Sequence, residues 1–217
     1  APPGLWQFVS HALLLHTLLE TCDFSDLKTP ESSEAKNVLS RARIELEKVT
    51  LVETDLVEKV AARILEIIIH CANANLPLGE DQPPTRLSNL PSANLWREMP
   101  FWSSSGTHAV LRDMKPKAVS RLMHGYMDMV FSPNDLDYYI LDYKSNSLAG
   151  LASADLDAYI DSHYALQREI YGEALQSFLQ KLYPNSGRRV RGCYFLFLRY
   201  LKSGETTGVQ FREYAHG

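Results

Sequence analysis

Two β-favouring runs with a turn between them constrain this chain most. They are RLMHGYMDMVF over residues 121–131 and YYILDYK over residues 138–144, joined through SPND at residues 132–135. Apolar and aromatic runs flanking a Ser-Pro-Asn-Asp stretch predict an antiparallel hairpin. Centred on Asp135, that hairpin sets Asp128 opposite Asp142. Its loop is longer than two residues, which leaves room for a slip in register. Side chains alternate along a strand, so Asp142 and Lys144 face one side and Tyr143 the other.

A carboxylate and an ammonium at the end of an apolar strand raise a chemical question. Two adjacent carboxylates repel, and each tends to stay protonated unless a positive charge joins them. A divalent cation does this. Carboxylates and backbone carbonyls suit Mg²⁺, which keeps several waters and also binds phosphate oxygens. A nearby lysine neutralises charge developing on phosphorus. Two acids, a metal and a lysine together make a set suited to phosphodiester hydrolysis. An isolated Asp-x-Lys is ordinarily a solvated ion pair contributing little, so the facing Asp128 is what gives the motif chemical meaning.

Charge narrows where a polyanion would bind. The whole chain is acidic at −4, residues 1–81 carry a net −6, and residues 82–217 carry a net +2. The acidic total argues against a general nucleic-acid coat and directs any phosphate site to the second part. Three widely spaced cysteines, Cys22, Cys71 and Cys193, without a Cys-x-x-Cys pair, suit a reducing cytoplasm and argue against a zinc knuckle or iron–sulfur cluster. No apolar run reaches the roughly 20 residues of a membrane-spanning helix. Residues 5–19 are apolar but lack a basic leader and contain His11 and His16, so they predict a buried helix and not a signal peptide. There is no G-x-x-x-x-G-K-[ST] loop, so the chain is not an ATP-driven motor by itself. The absence of H-E-x-x-H and G-x-S-x-G removes the main support for metalloprotease and serine-hydrolase readings.

The remaining pattern predicts two parts. Residues 5–20 and 34–75 have helical spacing. Residues 76–87, LPLGEDQPPTRL, predict a surface connection. Strands follow at 97–102, 108–114, 121–131 and 138–144, then a helix over 157–182, then a strand over 190–200. Strands, a helix and a further strand imply an α/β fold with a mixed central sheet flanked by helices. The parts are a helical N-terminal region, 1–85, and a core, 86–217.

Four segments in chain order carry a resemblance: G-Y-M-D-M-V-F, Y-Y-I-L-D-Y-K-S-N, A-L-Q-R-E-I-Y and G-C-Y-F-L-F-L-R. Over about residues 121–199 the chain resembles the nuclease domain of the RecB helicase–nuclease family, within the PD-(D/E)XK superfamily. The resemblance implies a restriction-endonuclease-like core and Mg²⁺-dependent cleavage of DNA, preferentially single-stranded. It implies a helicase motor and RecC- and RecD-like subunits as partners, work in double-strand-break repair and recombination, and a bacterial cytoplasmic setting without a membrane. By the same resemblance Asp128 and Asp142 are metal-binding acids, the Tyr143 carbonyl is a backbone ligand, and Lys144 is the catalytic lysine. His16 matches an additional metal-binding histidine, in a stretch, 16–24, that resembles the family's histidine helix. Gln167 and Tyr171 match a Q-x-x-x-Y pair lining the site. The Gly-Thr helix start common in the family is replaced here by Ser-His-Ala-Leu-Leu-Leu at residues 10–15.

Further residues have a plainer reading beside a functional one. His163 lies one turn before Gln167 on the same predicted helix. Glu98 is either a further acid near the metal or a solvated strand-end glutamate. Arg188, Arg189 and Arg191 either hold DNA backbone or form a solvated basic loop. Two rival functions stand beside the RecB-type reading. One is a stand-alone endonuclease of the same superfamily. The other is a non-catalytic domain of this fold that docks DNA or protein.

Overall fold

The computed structural model describes residues 9–49, 54–79, 82–104, 122–148 and 153–214. Helices α1 (Val9–Thr21), α2 (Ser33–Val49) and α3 (Thr54–Asn73) come first. Strands β1 (Leu95–Ser104), β2 (Leu122–Phe131) and β3 (Asp137–Lys144) follow, then α4 (Ser153–Leu182), β4 (Arg189–Phe197) and β5 (Val209–Glu213). The class is α/β. The helical spacing over 34–75 belongs to two helices, α2 and α3. The strand expected over 108–114 lies outside the described residues.

The chain forms two compact units that interleave in sequence. The first takes residues 1–93, 143–145 and 196–210, and the second takes 94–142, 146–195 and 211–217.

In the first unit, α3 buries Ala61, Ile64, Leu65, Ile68, Cys71 and Ala72, the three-and-four spacing of one helix face. Leu18, Leu19, Phe24, Leu27, Val38 and Ala42 are buried with it. Asn73 ends α3 as a buried polar link. Its Nδ2 donates to the carbonyls of Leu27 and Ile69, and its Oδ1 accepts from Ser88 Oγ at 2.9 Å. The segment 76–87 is not the plain surface connection its Pro and acid content predicts. Leu76, Leu78 and Leu87 are buried, and Leu76 and Thr85 exchange backbone hydrogen bonds. Pro83 and Pro84 stay exposed while Leu76, Leu78 and Leu87 anchor the segment.

The sheet has the order β1-β2-β3-β4-β5, with β1–β2 and β2–β3 antiparallel. Arg189 N–H donates to Leu136 O near the start of both β3 and β4, and Leu198 N–H to Lys144 O near their ends, so these strands run parallel. The crossover joining them is α4, as parallel neighbours require. Phe197 N–H reaches Gly208 O and Tyr214 N–H reaches Arg191 O, which makes β5 antiparallel to β4. The sheet is therefore mixed. β4 ends at Phe197, earlier than the expected Tyr200, because Tyr200 N–H turns back to Phe197 O. β5 has no counterpart in the sequence expectations. Its five residues are too few, and too polar at Gln210, Arg212 and Glu213, to show a period. Phe131, Tyr139, Tyr194 and Phe211 form the aromatic core of the second unit, with Phe131 and Tyr139 stacked at 5.2 Å.

The β2–β3 turn is held by side chains. Asn134 Oδ1 accepts from the N–H groups of Leu136 and Asp137, and its Nδ2 donates to Asp137 Oδ2. Ser132 Oγ donates to Asp137 O at 2.9 Å. Asp135 takes φ +62°, a left-handed conformation that Asp tolerates better than most residues. Arg189 Nε closes the set with a 2.8 Å bond to Asp137 Oδ1. The basic run is thus not a solvated loop. Arg191 lies 3.7 Å from Asp137 and 3.6 Å from Glu213, and Arg188 lies over the Tyr183 ring and donates to Tyr138 Oη.

Burial works to raise the Asp137 pKa, but bonds from Asn134 and Arg189 and the charges of Arg189 and Arg191 outweigh it and hold the carboxyl below its usual value. A depressed carboxyl adds stability above its unfolded value, about 4, and loses it as pH falls through the lower folded value. Asp137→Asn is expected to cost about 1–3 kcal/mol near neutral pH. It should also flatten the acid limb of stability in urea titrations at a series of pH values. An acid limb as steep as that of the unmodified protein would show that Asp137 is not its source.

Candidate functional site

The β2–β3 ladder pairs Met129 with Leu141, Val130 with Ile140 and Phe131 with Tyr139. Continuing this register by one residue sets Asp128 opposite Asp142. It is the register that a hairpin centred on Asp135 predicts, and the Asn134 and Ser132 bonds at the turn are what exclude a slip. Asp142 is buried and Asp128 half-buried.

Helix α4 ties the two acid-bearing strands together. Gln167 Nε2 donates to Asp142 Oδ1 at 2.9 Å and to Tyr171 Oη at 3.0 Å. Tyr171 Oη in turn donates to the carbonyl of Tyr126, two residues before Asp128, at 3.0 Å. The two side chains meet because i and i+4 share a helix face. Burial pushes the Tyr171 hydroxyl up to about 12, against the lowering bond from Gln167 and with the charges of Asp142 and Asp128 adding to it. The phenol therefore keeps its proton at neutral pH and stays a donor. Its ring meets Phe101 of β1 edge-on at 5.2 Å.

Gly125 of the G-Y-M-D segment makes this contact possible. A Cβ there would lie 2.8 Å from the Phe101 ring, directly across the β1–β2 ladder. Phe101 covers the glycine and then reaches Tyr171.

Glu98 differs from expectation. It is not at a strand end but within β1, half-buried, between the pairs Arg97–Met129 and Met99–Met127. It therefore stands level with Asp128 in the ladder. Its φ is +47°, a left-handed conformation costing on the order of 1–3 kcal/mol for a residue with a side chain. Strain of this kind collects at functional positions, and only the backbone shows it. Asn146, of the Y-K-S-N string, donates to Tyr159 Oη at 3.1 Å. Tyr164 joins them, and burial, with its bond to Tyr159, pushes its hydroxyl up to about 12. The negative charge of Asp142 adds to that rise. Tyr164 lies three residues before Gln167, on the same side of α4, a spacing that marks a shared helix face but no role.

His163 touches this network through Tyr159, at its exposed edge. It is exposed, stacks on Tyr159 at 4.1 Å, and its Nδ1 lies 2.8 Å from the Tyr159 carbonyl. In the first unit His16 is half-buried on α1 and meets the Tyr143 ring edge-on at 5.7 Å. Tyr143 is buried there, and burial raises the pKa of the Cys71 thiol. Lys144 is half-buried at the end of β3.

Among the described residues no three His, Cys, Asp or Glu side chains gather into a group that holds a metal alone. Mg²⁺ asks for less: one or two carboxylates, with waters and substrate oxygens filling the rest. An ionised carboxylate offers about four lone-pair sites, so a bond from Gln167 to Asp142 is compatible with such an ion. The donor set of Asp128 and Asp142 fits Mg²⁺ on this chemistry. Separately, a groove of about 750 Å³ beside the second half of α4 is lined by Trp96, Phe101, Val130, Tyr138, Phe178 and Leu182. Its lining is mostly apolar, with Glu173, Ser177 and Lys181 of α4 also along it.

Comparison with protein-family models and with curated proteins returns no match for the chain. No described helix is long and apolar enough to cross a membrane.

Gly125→Ala tests the Phe101 contact. The added methyl is expected to displace the ring and cost about 1–3 kcal/mol, read as a lower midpoint in urea. A variant as stable as the unmodified protein would show that Phe101 has room to move.

Proposed function

We propose that the chain is a Mg²⁺-dependent DNA nuclease domain with a restriction-endonuclease-like core, of the kind attached to RecB-type helicases. The observation that carries this is the pairing of Asp128 with Asp142 on neighbouring strands, held from α4 by Gln167 and Tyr171. Lys144 follows Asp142 by two residues on the same strand, the spacing that alternation puts on one face.

Mg²⁺, when bound, would polarise a phosphodiester and supply a nucleophile at neutral pH. Asp128 and Asp142 would hold it, and the resemblance adds the Tyr143 carbonyl and His16 as donors. Gln167 fixes the Asp142 carboxylate in one orientation, which preserves the spacing of the acids without a side-chain rearrangement on binding. Tyr171 fixes the backbone of β2 through Tyr126 and so sets where Asp128 starts. Lys144 places a positive charge that stabilises the extra negative charge of the transition state. In this reading Glu98 is a third acid at the same level.

The acidic total charge implies modest affinity for DNA when the domain is alone. Attachment to a motor would supply strand to the site at high effective concentration. RecC- and RecD-like partners, recombination and a bacterial cytoplasmic setting follow from the resemblance.

End-labelled single-stranded DNA should be degraded in Mg²⁺ and untouched in EDTA. Lys144→Ala should lower the rate by at least about a hundredfold, the scale of removing one preorganised electrostatic group. Cleavage that survives Lys144→Ala would place the chemistry elsewhere. DNA binding without cleavage by the unmodified protein would favour the docking-domain alternative.

A further inference from the structure

Three aromatic rings form a row on the β1–β2 pair that the nuclease chemistry leaves unused. Trp102 of β1 and His124 of β2 are direct cross-strand partners, with ring centroids 4.9 Å apart. His124 meets Tyr126 at 5.1 Å. Trp102 is 61% exposed and Tyr126 50%, and His124 is exposed between them. Phe101 turns toward Tyr171 of α4, so its neighbour Trp102 points to the other side of the strand pair. Tyr126 ends the row two residues before Asp128, about 7 Å along the strand.

We infer that Trp102, His124 and Tyr126 are a stacking platform for the unpaired bases of single-stranded DNA, leading the strand toward Asp128. This rests on the nuclease reading for the identity of the nucleic acid.

Cross-strand pairing alone explains the row poorly. An aromatic pair stabilises a ladder by covering its rings, yet most of the Trp102 indole remains in water. Every base has a π-face, so exposed rings in sequence bind single strands without regard to base identity, whereas bases inside a duplex are already stacked. Charge agrees. The sequence that leaves β1 three residues after Trp102 and returns three residues before His124 contains Arg112, Lys115, Lys117 and Arg121 against one acid, Asp113. A chain that is acidic overall thus has a local basic excess next to the row in sequence, as a phosphate backbone requires.

The test is binding of a fluorescein-labelled oligo(dT) in EDTA at low salt, followed by anisotropy and by quenching of tryptophan fluorescence. Trp102→Ala and Tyr126→Ala should each weaken binding by about five- to a hundredfold, the range for loss of one base–aromatic stack. Trp102→Phe should recover most of the affinity, and a blunt duplex should bind all forms alike. Affinity within twofold of the unmodified protein in both alanine variants would overturn the platform. So would no measurable binding of oligo(dT), equal losses in Trp102→Phe and Trp102→Ala, or tighter binding of oligo(U) than of oligo(dT). Binding is read without metal, so these outcomes are independent of cleavage. Unchanged affinity sinks the platform even if Lys144-dependent cleavage stands, and lost affinity upholds it even where no cleavage occurs.

Discussion

The placement of the acids depends on a few hydrogen bonds at the β2–β3 turn. Asn134 satisfies two backbone N–H groups and the Asp137 carboxylate, and Ser132 satisfies the Asp137 carbonyl. Strand pairing has a period of two, so a single-residue slip would send Asp142 away from Asp128. The apolar flanks alone do not prevent this, because β3 is buried along nearly its whole length and offers no polar face to mark its register. The turn supplies what the strand lacks. Arg189 then ties the turn to the start of β4, so the register of the acids and the docking of β4 share one carboxylate, Asp137.

From this turn the second unit follows in order. β2 and β3 bring the carboxylates level, Phe101 fills the space over Gly125, and Tyr171 rests on Phe101. Gln167 then holds Asp142 by its side chain, and Tyr171 holds β2 by the Tyr126 carbonyl, two residues before Asp128. This division has a physical reason. A bond to the Asp142 carboxylate fixes its orientation, while a bond to the Tyr126 carbonyl fixes the path of β2 leading to Asp128.

How much of this was legible in the sequence follows from range. The hairpin was legible because its turn residues sit beside its strands, and Gln167 with Tyr171 because four residues span one helical turn. The helix–strand order gave the α/β class and the mixed sheet. What escaped depends on partners far along the chain. Arg189 looks like part of a solvated run until Asp137, 52 residues earlier, accepts its bond. Leu76 looks exposed among prolines until its pairing with Thr85 is seen. Glu98 looks like an ordinary strand residue, since a left-handed φ leaves no mark in composition. β5 is too short to show a period.

The parallel pairing of β3 and β4 sets an order of assembly. β1, β2 and β3 are joined antiparallel neighbours, whereas β4 pairs with β3 only after the 30-residue α4 has crossed over. Closing that longer loop costs more chain entropy, and non-local pairings form late. Asp128 and Asp142 are therefore expected to meet on the nascent hairpin before Gln167 and Tyr171 dock over them. During that interval two carboxylates face each other in water-accessible strands, with neither the helix nor β4 to hold them. Two facing carboxylates repel each other, so closing this hairpin is expected to depend on ionic strength and pH.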